Sequence, residues 1–215
     1  IKTSVSSEST PQSSRSEVFA FVEKELKDVV GDGEGNEVLA DKRATYGRAD
    51  KVAGWILLSR LYLNAEVYTG SAQWQKAKDY ADKAIKGGYS LCPEGKNGYS
   101  AYQLLFMGDN DTNGAQNEIV LPAIHDGMET QTWGGCLFII AASNSSSKTD
   151  VNLGTSEKWG GNRVTKQFAE KFITDEAAVK DLVEPSEVAK AAGDDRALFS
   201  CAKHTISMED ESDFY

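Results

Sequence analysis

The sequence is poor in the features that most directly announce a chemistry. Its three cysteines, Cys92, Cys136 and Cys201, form no CxxC pair, and its two histidines, His125 and His204, lie far apart. That spacing excludes a zinc finger or ribbon and a redox cysteine pair. The cysteines read as free structural thiols, with Cys136 buried in its apolar run; one disulfide plus a leftover thiol is the other reading. There is no Lys/Arg-rich block, and 23 Lys+Arg against 33 Asp+Glu leave a net charge of −10. Phosphate affinity rests on clustered cations, so nucleic acid and an anionic membrane surface are excluded as partners. The longest apolar run, Cys136-Leu137-Phe138-Ile139-Ile140-Ala141-Ala142, is of strand length. It falls well short of the roughly 18–20 residues that span a bilayer. A phosphate-cradling glycine loop and a Ser/His/Asp order are missing too.

What is present is an ordinary globular composition, 40 % apolar and 26 % charged, with enough chain for one domain or part of a larger one. The sequence opens at Ile1 on a polar Ser/Thr tract and stops at Asp213-Phe214-Tyr215 without a closing element, which leads us to expect a piece of a longer protein. Ser14-Arg15-Ser16-Glu17 is a capping box. Behind it Val18, Phe19, Val22, Leu26, Val29 and Val30 recur at helical steps up to the Gly31-Asp32-Gly33 breaker. A longer helix over 48–68 carries Val52, Trp55, Ile56, Tyr62 and Leu63, with small Ala49, Ala53, Gly54 and Ala65 admitting a close neighbour. Thr69-Gly70-Ser71 then turns the chain, with Ser71 as N-cap. A second helix sets Trp74, Ala77, Ala81, Ala84 and Ile85 on one stripe, and Trp55 and Trp74 both read as core. Two helices across so short a turn form an αα-hairpin, whose large/small alternation suits a tetratricopeptide-type repeat.

After Leu91 the character changes. Residues 99–107 and 165–173 read as short helices, 118–124 (EIVLPAI) and 132–142 as extended pieces, and 144–161 as a polar loop. We therefore read one partial domain over 1–215, helical over 14–91 and loop-rich over 92–215. Loops on a helical scaffold are where binding residues usually sit.

A set of segments then carries a resemblance: Tyr46-Gly47-Arg48-Ala49, Leu57-Leu58-Ser59-Arg60-Leu61-Tyr62-Leu63-Asn64-Ala65, Gly87-Gly88-Tyr89-Ser90-Leu91, Leu105-Phe106, Asp109-Asn110, Asn117-Glu118-Ile119-Val120, Thr132-Trp133-Gly134-Gly135 and Ala192-Gly193-Asp194-Asp195-Arg196-Ala197. In order and spacing they resemble the SusD/RagB family of outer-membrane glycan-binding lipoproteins, and its starch-binding branch in particular, from about residue 13 to about 205. The resemblance implies a mainly α fold: tetratricopeptide-like helix pairs, few short strands and a loop-rich ligand region. It implies a surface-exposed, non-enzymatic protein held to the outer membrane by an N-terminal lipid outside these residues. Its partners would be a glycan and a SusC-like TonB-dependent transporter, and this chain would be a central fragment of such a protein.

A glycan site needs flat aromatic surfaces for the C–H faces of sugar rings and polar groups at their edges. Trp133 and Trp159 each open a Trp-Gly-Gly in polar sequence, where no helical stripe claims the indole. The family's arc of loop aromatics is carried over to these two positions, with Asn162 and Arg163 as polar edges; alternatively each indole packs under its own loop. Asp109-Asn110-Asp111-Thr112-Asn113-Gly114 matches the first half of an EF-hand loop. Asp109, Asp111 and Asn113 could hold a structural Ca²⁺, although Val120 stands where the closing acid belongs, and a plain Asx-turn loop is the alternative. Asp194-Asp195-Arg196 reads as a local salt bridge or cap, and His125 as a structural histidine. The functional expectation is non-catalytic capture of a starch-like α-glucan or maltooligosaccharide for the transporter. A helix-pair protein-interaction scaffold with no sugar site, and a glycoside hydrolase with two flanking carboxylates, are the other readings.

Overall fold

The structure, a computed structural model, describes residues 5, 9, 11–35, 37–124, 136–143, 157, 159, 161–162 and 164–199, with 136 and 137 by main chain alone. The chain divides into two compact units, Ile1–Ser90 with Asn117–Ala123, and Leu91–Gln116 with Ile124–Tyr215. Among the described residues the regular elements are helices, plus a single isolated bridge between Lys96 and Tyr99. The mainly α class is what the structure has; 118–124 is irregular backbone around Pro122.

The first unit is built on α1 (Arg15–Val29), α2 (Lys51–Leu63), α3 (Ala65–Thr69) and α4 (Trp74–Ile85). Helix α1 starts as its capping box requires: the Ser14 hydroxyl accepts from the Glu17 amide, and the Glu17 carboxylate accepts from the Ser14 amide at 2.8 Å. Helices α2 and α4 form the expected hairpin, and α1 also packs on α2. Leu58, Tyr62 and Ala65 are almost wholly buried against Phe19, Val30, Ala77 and Tyr80. Tyr62 stacks on Tyr80 at 5.6 Å between ring centroids and meets Phe19 edge-on, and its hydroxyl donates to Glu23 at 2.6 Å. Burial, with the Glu23 carboxylate beside it, raises the Tyr62 pKa. Gly54 has a packing reason: a Cβ there would stand 2.4 Å from Cγ1 of buried Val30. The small residue thus admits the end of α1.

Asp50 organises the start of α2 although it is fully buried. Its Oδ1 accepts from the amides of Val52 and Ala53 at 3.0 and 3.3 Å, as an N-cap. Its Oδ2 accepts from the Ala44 amide at 3.0 Å and the Tyr89 hydroxyl at 2.6 Å. One carboxylate therefore ties together the loop before α2, the first turn of α2 and the segment after α4.

Several expectations for this unit are corrected. The 48–68 helix is broken at Asn64, whose side-chain amide donates back to the Arg60 carbonyl at 2.9 Å and competes with the helical ladder. Ser71 does not cap α4. Its amide is taken by the Thr69 hydroxyl at 3.2 Å, and the helix begins two residues later with Gln73 at the cap position. The buried face of α4 runs through Ala77 and Tyr80, because the Tyr62–Tyr80 stack sets the helix rotation. Trp74, in the first turn, is consequently 63 % exposed rather than core, and Ile85 and Leu63 are exposed too.

The second unit is held by shorter pieces: α5 (Ala101–Leu104), α6 (Cys136–Ser143), α7 (Lys166–Ala169), α8 (Glu176–Val179) and α9 (Pro185–Ala192). Ser100 caps α5, Thr165 α7 and Asp175 α8; Pro185 opens α9 and Gly193, at φ 69°, closes it. Ile173, Val179, Val188, Ala189 and Ala197 form one core, and Cys92, Leu104 and Ala115 a smaller one. Buried Gln103 donates to the Asp195 carbonyl at 3.0 Å, linking α5 to the segment after α9. Arg196 grips Asp194 through two bonds of 2.9 and 2.8 Å, the local salt bridge expected there. That grip holds the Asp194 carboxyl down at about 2. The extended reading of 132–142 is corrected over its described part, which is the helix α6. An apolar run of this length has no periodicity that separates strand from helix, and Ala141 and Ala142 are good helix formers.

Candidate functional site

The Trp159 loop is fixed to the C-terminal end of α6. The last carbonyls of a helix have no intrahelical partner, and here two of them are taken by the loop. The Trp159 amide donates to the Ala141 carbonyl at 2.9 Å, and the Asn162 amide to the Ala142 carbonyl at 2.8 Å. Ala141 and Ala142 are buried, whereas Phe138 and Ile139, a turn earlier, are 54 % and 59 % exposed.

The Trp159 ring meets Phe138 edge-to-face, with centroids 5.4 Å apart and planes at 67°. Trp159 remains 50 % exposed. Its indole N–H donates to the Glu157 carboxylate at 3.1 Å. The ring is thus braced at one edge by Phe138 and at its nitrogen by Glu157. Its polar atom is satisfied within the loop, so what Trp159 offers a ligand is aromatic surface. An ideal Cβ at Gly161 would come no closer than 4.0 Å to the Ala142 carbonyl oxygen. Packing therefore does not demand a glycine at position 161. A flat, half-exposed ring with fixed orientation can stack on the C–H face of a sugar ring or another apolar plate.

Of the residues singled out from sequence, Trp159 and Asn162 come together on this loop. Trp133, Arg163 and His125 lie outside the described residues, as do the side chain of Cys136 and Cys201. Cys92 is buried, with its Sγ 3.6 Å from the Glu94 carbonyl. Phe138, Ile139 and Glu157 were not anticipated. No local pattern in the sequence marks them, since an apolar run this short has no period.

The 109–114 loop is closed by its own side chains. Asn113 donates through Nδ2 to the Asp109 carboxylate and the Leu104 carbonyl, each at 3.0 Å, and its Oδ1 accepts from the Ala115 amide at 2.9 Å. The Thr112 and Asn113 amides donate to the Asp109 carbonyl. This is the geometry of the Asx-turn alternative. Among the described residues no group of three or more His, Cys, Asp or Glu side chains is gathered as a metal site.

Against curated proteins, the chain is 32 % identical over 208 residues to the Starch-binding protein SusD of Bacteroides thetaiotaomicron. The match covers 85 % of this chain and 35 % of that protein, so the chain spans about a third of the length of the curated relative it matches. No family model matches the chain.

Proposed function

The chain is SusD-like in sequence and in its helical scaffold, and on that premise we propose that it carries a sugar-stacking surface of a non-catalytic glycan-binding protein. The observation that carries the proposal is the braced, half-exposed indole of Trp159 against Phe138. The relative's name, a starch-binding protein, supports an α-glucan or maltooligosaccharide as the ligand. Stacking on Trp159 and hydrogen bonds from polar groups of the same loop, Asn162 among them, supply weak affinity per sugar that several contacts multiply. In this reading the whole protein sits on the outer-membrane surface, anchored by lipid, and hands its glycan to a SusC-like TonB-dependent transporter.

Isothermal titration of the intact chain with maltoheptaose tests the proposal. Saturable heat is expected. Trp159→Ala should lower affinity by about 10–100-fold, the worth of roughly 1.5–3 kcal/mol of ring burial, with unchanged circular dichroism. No heat at millimolar ligand overturns the proposal; binding that survives Trp159→Ala overturns the site. A second reading, a helix-pair scaffold for a protein partner with no sugar site, draws support from the exposed Leu63, Val67 and Trp74. It would take the place of the first if the titration is silent.

A further inference from the structure

Four cations that are scattered in sequence come together in the helical unit. An open cleft of about 570 Å³ is lined by Lys42, Arg43, Lys83, Lys86, Asp41 and Trp55, with Gly87 and Gly88 completing it. In a chain of net charge −10 such a concentration is the exception.

Two carboxylates offset part of that charge, Asp41 in the lining and Asp32 beside Lys83. Asp41 is engaged by Lys51, which also pairs with Glu37 at 2.7 Å. Two of the cations are held in position. Lys83 is fixed by Asp32 at 2.6 Å and lies over the Tyr80 ring at 4.8 Å and the Trp55 ring at 5.9 Å. Arg43 donates to the Asn117 side chain at 2.7 Å and lies over the Tyr89 ring at 5.1 Å. Trp55 lines the cleft as an aromatic side chain. Gly88, at φ +90°, adopts a backbone that favours glycine and adds no side chain to the wall.

The lining therefore carries more cations than carboxylates, beside an aromatic side chain. Its volume lies in the range of small-molecule sites, roughly 300–1,000 Å³, and exceeds what a bare ion needs. A matching ligand has a compact ring, several oxygen acceptors and a negative charge.

We propose that this cleft binds a carboxylate-bearing sugar, a uronate residue of an acidic glycan. The carboxylate would face Lys42 and Lys86, and the ring hydroxyls Arg43 and Lys83. The sugar part of the inference rests on the glycan-binding reading; the negative charge rests on the cleft alone.

The test is a titration of the intact chain with trigalacturonate at 50 and 300 mM salt, beside maltotriose, inorganic phosphate and a glutamate-rich peptide. Saturable binding of trigalacturonate is expected, weaker at the higher salt. It should fall by about fivefold to tenfold in the Lys42→Gln/Lys86→Gln double variant and be unchanged by Trp159→Ala. Both lysines are exposed, so circular dichroism should confirm an intact fold. Absence of binding, or indifference to the double variant, overturns the inference. Phosphate binding as tightly as the uronate would make the cleft a simple ion cluster, and an equally tight peptide would make it a protein contact; either result overturns it too. Maltoheptaose binding that is lost with Trp159 while trigalacturonate is silent would leave the glycan reading standing and remove only this site.

Discussion

Removing the Asp50 carboxylate should cost more than any other single polar truncation in the helical unit. In Asp50→Ala, α2 loses its N-cap bonds to Val52 and Ala53, worth about 1 kcal/mol. The Ala44 amide and the Tyr89 hydroxyl lose a charged acceptor, and bonds to charged groups contribute about 1.5–3 kcal/mol each. These terms overlap. A total of about 3–5 kcal/mol is expected, somewhat below the plain sum of the cap and the two bonds to the charged group. For a chain of this size it lowers Tm by about 6–20 °C. Asp50→Asn separates the two halves of the network. Its amide oxygen can still cap α2, since Asn and Asp are equivalent caps, but its NH₂ cannot accept from Ala44 or Tyr89. About half the loss should remain. Urea unfolding followed by far-ultraviolet circular dichroism at pH 7 measures both variants. With Tyr89→Phe it closes a double-mutant cycle with Asp50→Asn, expected to show coupling of about 1–2 kcal/mol. An Asp50→Ala variant within about 1 kcal/mol of the parent would refute the network as described. So would equal losses for Ala and Asn, because the cap would then account for nothing.

Two further predictions concern stability. Gly54→Ala should destabilise by about 1 kcal/mol in the same urea assay. The roughly 1 kcal/mol that Ala gains over Gly in a helix interior is outweighed by overpacking against Val30, about 1–3 kcal/mol; a more stable variant would refute the close approach. Stability should also fall on the alkaline side. Burial and the nearby Asp32 push the Tyr80 hydroxyl up to about 12, and burial with Asp50 does the same for Tyr89. Both start from 10.0, so the folded protein holds these protons more tightly. Their contribution is complete below about pH 10 and is lost as the pH rises through 12. The urea midpoint should decline over that window in the parent and less steeply in Tyr89→Phe.

The helical unit was legible because its signals are local. The capping box at Ser14, the small residue at 54 and the turn after Thr69 each act within a few residues or across one helix contact, and each is found where the sequence puts it. Two misreadings were local, the Asn64 bond back to Arg60 and the Thr69 hydroxyl on the Ser71 amide; the others concern residues whose fate is set by a distant partner. Trp74 sits on the same sequence stripe as Ala77, but the stacking of Tyr80 on Tyr62 decides which way α4 faces, and that leaves Trp74 exposed. Asp50 was passed over for a related reason. Its two local bonds mark an ordinary cap, whereas its importance comes from Ala44 and Tyr89, which only the fold brings to it. In the loop-rich unit the apolar run of α6 carried no period, so its helix and its outward Phe138 were both invisible.

The same distinction separates the two candidate ligand surfaces. A half-exposed indole in a Trp-Gly-Gly loop can be suspected from sequence, since the glycines and the polar context lie beside it. Even so, the brace that makes Trp159 a platform comes from Phe138 and Glu157, and fixed orientation is what turns exposed area into affinity. The cation cleft could not be suspected at all. Lys42 and Arg43 precede α2, Lys83 and Lys86 close α4, and a count of charges reads them as dilute in an acidic chain. The absence of a basic block excludes nucleic acid, which needs many phosphate contacts in a row. It does not exclude a pocket for one negative charge, because the antiparallel packing of α2 against α4 gathers the cations at one end of the hairpin. Net charge thus limits the size of the anion this unit can hold, and the helix pairing decides that there is a place to hold one.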